Sequence, residues 1–204
     1  MGEGSVRPAG NAGLARDYLQ RIDEAVRRGE DKLAGTGREF SCHPRCSACC
    51  RLPLRATMPE AELAAGYILE TFPADSLARL NATGAAWLDW DEKALPGHVR
   101  GGLDEADAYS MHGPGCPFLD GGLCSIYPVR PMGCRVHNST HPPELCRPDI
   151  PYDSITDCPG TVMEVLREVK PLCMGYRKKL EEMGVDFEAS AGSFARQVLG
   201  LLGK

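Results

Sequence analysis

Between residues 93 and 160 the chain carries ten of its sixteen prolines, five of its ten cysteines and four of its five histidines. Proline fixes φ and lacks the backbone donor that a helix or a sheet ladder needs, so this stretch is expected to be loop and short turns. A loop-rich segment of that length fits inside a compact domain only when something other than apolar burial pins it. Metal ligation is such a pin, because binding free energy replaces missing core.

The cysteines are spaced for that purpose. Cys42, Cys46, Cys49 and Cys50 form one block, and Cys116, Cys124 and Cys134 form a second, about 65 residues further on. Clustered soft thiolates most simply mean bound metal. A disulfide framework fits less well. Such domains are small and secreted, residues 1 to 13 contain no apolar export run, and the adjacent pair Cys49-Cys50 is poorly disposed for a bridge. At 204 residues the chain can bury a core without covalent staples.

Charge and hydropathy narrow the partners. A net charge of -5 and a pI near 5.6 argue against a nucleic-acid or anionic-membrane surface, and no apolar stretch approaches a membrane span. A cytoplasmic chain is expected, with a metal ion or cluster as ligand and a protein partner as a further possibility. The oligomeric state is left open.

Periodicity predicts a mainly α, compact helical domain with irregular metal-tied loops and at most a short β-hairpin. Leu14, Tyr18, Ile22, Val26 and Leu33 mark a helix over 11–34 that frays at Gly29, Gly35 and Gly37. Its stripe reads as core, with a partner-binding face as the alternative. Thr57 and Glu60 have capping-box spacing and open a second helix, and a third is expected over 74–92. Thr161 and Glu164 repeat the capping signal for a helix that Pro171 should kink or split, and a last helix is expected over 186–202. Short strands are expected near 52–56 and 123–127. The organisation that follows is an N-terminal helix over 1–39, a cysteine core over 40–160 and C-terminal helices over 161–204.

If residues 46–50 form a helical turn, Cys46, Cys49 and Cys50 project to one side and can converge on a metal. Four thiolates on a metal leave a net negative charge that needs nearby donors. Arg130 and Arg135 adjoin the second block and are expected to supply them; His137, three residues after Cys134, is a candidate ligand or hydrogen-bonding group. Cys173 falls on the apolar stripe of its helix and reads as a core cysteine.

The combination C-x-x-x-C-x-x-C-C, C-P-F-L, C-S-I-Y-P-V-R-P and C-R, over about residues 40 to 147, resembles the YkgJ-type cysteine-cluster family of zinc- or iron-chelating proteins. The family pattern C-x-x-C-G-x-C-C is departed from by one extra residue between Cys42 and Cys46 and by Ser47 in place of glycine. The resemblance implies one further ligand after the second block. Cys146 is nearer than Cys158 and completes a set of Cys42, Cys46, Cys49, Cys50, Cys116, Cys124, Cys134 and Cys146.

The absence of a second C-x-x-C unit favours an iron–sulfur cluster over zinc. Cys42-x-x-x-Cys46-x-x-Cys49 also matches the spacing of radical S-adenosylmethionine enzymes. Those place an aromatic residue where this chain has Ala48, and they need an alternating strand–helix pattern that is missing. No nucleophile triad, phosphate loop or dinucleotide fingerprint is present, and Asp120, Glu144 and Asp149 have no acid–base spacing. An accessory, carrier or structural metal-binding module is the default reading, and a small metalloenzyme using the same centre is the alternative.

Overall fold

A computed structural model of the chain describes residues 10–43, 45–146 and 162–203. It is mainly helical. Helix α1 (Gly10–Ala34) is followed by a 3₁₀ turn (Ala48–Arg51), strand β1 (Arg55–Thr57) and helices α2 (Met58–Thr71), α3 (Ala74–Lys93), α4 (Leu95–Arg100) and α5 (Glu105–His112). Strands β2 (Leu119–Asp120) and β3 (Leu123–Cys124) come next, then a 3₁₀ turn (Tyr127–Val129), helix α6 (Met132–Val136) and a 3₁₀ turn (Pro143–Cys146). Helices α7 (Met163–Glu182) and α8 (Phe187–Ser190), strand β4 (Ala191–Ser193) and helix α9 (Phe194–Leu202) complete the order. No helix of the described residues is long and apolar enough to cross a membrane.

Helix α1 packs along α7 and also touches α2 and α6. It buries Ala15, Leu19, Ile22, Ala25 and Leu33, while Leu14, Tyr18 and Val26 lie at the edge of the contact. The expected stripe is therefore rotated slightly, since small alanines take the closest approach. Gly29 does not fray the helix: a Cβ there would stand 2.7 Å from the Val165 Cα, so glycine lets α1 and α7 meet backbone to backbone. A larger core joins α2, α3, α5 and α9 through Ile68, Leu80, Trp87, Phe194 and Val198, and receives Phe118 and Ile126 from the cysteine-bearing loops.

Several expectations are corrected by these contacts. The segment from 93 carries α4, α5 and α6 as well as turns, because its prolines fall at helix starts and between elements, where a missing N–H is harmless. Pro171 lies inside α7, which runs on as one helix. The last helix is interrupted, since Ala191–Ser193 leave helical geometry to pair antiparallel with β1, and Ser193 caps α9 through its hydroxyl and the Arg196 N–H. The expected strand near 52–56 is β1, displaced towards its C-terminal end. The one near 123–127 is reduced to β3, which pairs with β2 across Gly121 and Gly122; both have positive φ, as a two-residue hairpin requires. Thr161 lies outside the described residues, and the N-cap of α7 is Val162.

Glu60 ties three of these elements together. It is 3% exposed and uses both carboxylate oxygens. One accepts the Thr57 N–H at 2.9 Å and the Thr57 hydroxyl at 2.7 Å, closing the capping box of α2. The other accepts the Met132 N–H at 2.8 Å, at the first residue of α6. Thr57 also meets the Tyr176 hydroxyl of α7 at 3.0 Å.

Candidate metal centre

The two cysteine blocks meet over α1. Cys42, Cys46, Cys49, Cys50, Cys124 and Cys134 line one cavity of about 370 Å³, closed on one side by Asp23, Val26, Arg27 and Glu30 of α1. Tyr127, Arg130, His137 and Asn138 line it as well. Six of the eight expected ligands thus share one space.

Each sulfur is held by its own local structure. Ser41 donates its N–H to the Ser139 carbonyl at 2.8 Å, and Ser139 returns its N–H to the Cys42 Sγ at 3.2 Å. Cys46 precedes the 3₁₀ turn and is fixed by its N–H on the His43 carbonyl at 2.8 Å. The single helical turn expected over 46–50 is therefore not formed; only Cys49 and Cys50 lie on the turn Ala48–Arg51. Cys116 and Cys124 flank the β2–β3 hairpin, and each accepts the backbone N–H two residues on, from Phe118 and Ile126. Those two residues are 1% and 2% exposed. Burying them anchors the cysteines, and the repeated C-x-apolar spacing of C-P-F and C-S-I was the available sequence signal. Cys134 sits on α6, whose first N–H is held by Glu60.

Cys116 lies on a neighbouring wall. With Cys50 it lines a second cavity, and its thiol still feels Cys134, Cys124 and Cys49. Cys146 ends the turn Pro143–Cys146, which packs against the turn of Cys49 and Cys50, and its charge acts on Cys42. Cys158 lies outside the described residues. Cys173 packs beside the α1–α7 core, as its helical register implies. None of the nine described cysteines is in a disulfide.

The thiols are strongly perturbed. Burial pushes Cys134 up to about 12, helped by Cys49 and Cys124 and opposed by Arg130 and Arg135. Burial likewise takes Cys116 up to about 12 against the Phe118 N–H, and raises Cys42 and Cys124. Cys49 is raised by its hydrogen bond with Cys50 and then by burial. Burial lowers His137. These directions belong to the metal-free groups; a bound cation would reverse those of the thiols, because it takes the thiolate as ligand, and would reinforce that of His137, because it takes the neutral imidazole.

The two arginines divide their work. Arg135 is 4% exposed and donates to the Arg130 carbonyl at 2.7 Å, the Pro128 carbonyl at 2.7 Å and the Asp23 carboxylate. Its guanidinium holds the Tyr127–Arg130 loop to α1 and also favours the Cys134 thiolate. Arg130 acts on more of the sulfurs. It stacks 3.9 Å over the Tyr127 ring, stands 4.0 Å from Asp23 and favours the thiolates of Cys49, Cys124 and Cys134. Its buried Nε has no hydrogen-bond partner among the described residues. Asp23, Glu60 and Ser139 were not singled out in the sequence as part of the site; Asp23 looked like one more charge on the outer face of α1.

The donor chemistry suits a soft or borderline metal: clustered thiols, N–H groups directed at three of them and one facing guanidinium. Among the described residues no three His, Cys, Asp or Glu side chains are grouped tightly enough to hold one ion.

A family model described as "Putative zinc- or iron-chelating domain", CxxCxxCC, matches residues 41–150, more than half of the chain. No curated protein and no solved structure matches at a significant level.

Proposed function

The chain belongs to the CxxCxxCC family, and from that premise we propose that it holds an iron–sulfur cluster through its two cysteine blocks, with zinc as the alternative metal. The ligand set is drawn from Cys42, Cys46, Cys49, Cys50, Cys116, Cys124, Cys134 and Cys146, with Arg130 and Arg135 as compensating charges and His137 beside them. Residues 40–160 form the metal-binding core, clasped by the helices of 1–39 and 161–204. The role is accessory, carrier or structural, in a cytoplasmic setting that keeps thiols reduced. The observation that carries this reading is the gathering of six cysteines from two distant segments around one cavity faced by Arg130.

Iron is preferred because the cysteines come as one crowded block and three separated residues, without the paired C-x-x-C units of structural zinc. The second reading, a small metalloenzyme, draws on the additional cavity against Cys50 and Cys116. Metal analysis with optical spectra of anaerobically purified protein decides between the metals. A brown protein with iron and acid-labile sulfide supports the cluster. Colourless protein with stoichiometric zinc replaces it. A folded, metal-free protein with its cysteines oxidised to disulfides overturns the whole reading.

A further inference from the structure

Cys50 also lines a second cavity, to which α1 contributes no residue. It measures about 160 Å³, well below the roughly 300–1,000 Å³ of drug-sized pockets, so it suits a small molecule. Its back wall is aromatic: Trp87 and Phe194 are almost fully buried, and Trp87 stacks on Tyr109 with ring centroids 6.0 Å apart. The Tyr109 hydroxyl is committed to Asp91, which leaves its ring as an apolar surface.

The solvent side is charged. Arg51 and Arg55 line it with a single carboxylate, Glu105, and all three are exposed. Arg55 gives one N–H to the Ala191 carbonyl at 2.9 Å. Arg51 has no ion pair or hydrogen bond with any described residue, so its guanidinium is available. Cys50 and Cys116 line the cavity as well. Guanidinium groups at the exposed end attract an anion, whereas the buried Trp87 and Phe194 rings accept an apolar body. A ligand that satisfies both ends points its charge outward and its apolar body inward.

We propose that this cavity binds a small monoanionic carboxylate with an apolar body, seated against Cys50 and Cys116 of the cysteine centre. Its position beside a metal rests on the function proposed above; the binding itself does not. Gly115, whose φ of +83° favours glycine, is the turn just before Cys116 at this wall.

Benzoate is the test probe and benzamide its neutral counterpart. The chain has two tryptophans, so Trp90→Phe leaves Trp87 as the only indole reporter. Benzoate should change Trp87 emission saturably, and benzamide should bind about tenfold more weakly for want of the charged contact. Arg51→Gln should weaken benzoate by about tenfold and Arg51→Lys should recover part of it. No saturable response in the Arg51 protein, equal binding of benzamide, or indifference to Arg51→Gln in a folded variant overturns the proposal. Metal content is measured on the same samples. Metal-loaded protein that ignores benzoate sinks this site alone, and metal-free protein that binds benzoate sinks the metal reading alone.

Discussion

Cys116 and Cys134, each pushed up to about 12, are acids that the metal-free fold keeps protonated. Their raised values mean that the folded chain binds more protons than the unfolded one above the ordinary thiol value of 9.0. The resulting stability is complete below that value and is lost as pH climbs towards 12. Metal retention runs the other way, because ligation releases these protons and acid returns them. Chelator-treated protein should therefore have a lower urea midpoint at pH 10 than at pH 7, while loaded protein should shed metal as pH falls. A metal-free midpoint that rises between pH 7 and 10 contradicts the first half. Replacement separates the sulfurs too: Cys49→Ser and Cys134→Ser should lose metal. Cys173→Ala should keep it at a cost of about 1 kcal/mol, since its place beside the α1–α7 core asks only for modest volume. Metal analysis of the three variants checks this. The block cysteines were legible from spacing, but the different fates of Arg130 and Arg135 were not. Both adjoin sulfur ligands in sequence, and only the approach of Asp23 from α1 shows which guanidinium is already committed.

Helix α6 is five residues long, too short to hold itself, and its first N–H rests on Glu60. Glu60→Gln puts an amide NH₂ where one carboxylate oxygen accepted, so either Thr57 or Met132 loses its acceptor. The expected cost is about 1–3 kcal/mol, with faster exchange of the Met132 amide and quicker loss of metal to a chelator. An unchanged chelation rate would show that Glu60 supports α2 alone. The capping half of this arrangement was readable, because T-x-x-E encodes a partner three residues away. The Met132 half was not, because residue spacing carries no information about a bond across 72 positions. The same limit explains the last helix. Phe187, Ala191, Phe194 and Val198 keep helical spacing, yet the pairing of β1 with β4 outweighs it and Ser193 restarts the helix as a cap. Gly192 followed by a serine was the local hint.

Two apolar cores flank the cysteine layer: the α1–α7 seam on one side, and the α2–α3–α9 cluster on the other. Neither needs a sulfur ligand for its packing, apart from the edge contacts of Cys116 and Cys124. Chelation should thus leave most helical signal intact while backbone exchange quickens over 42–50 and 116–146. Uniform protection in both states would remove the structural role of the metal. The helical architecture was legible because α1, α2, α3 and α7 carry whole stripes. The short helices among the prolines were not, since α4 and α6 are held by tertiary contacts rather than by periodicity. Strand β1, which follows the first cysteine block, finds its only pairing partner among the described residues in β4. That arrangement sets an order in time. A ribosome delivers Cys42 to Cys50 long before Ala191–Ser193, so the early thiols wait, exposed to oxidants and stray metals, until nearly the last helix has been made.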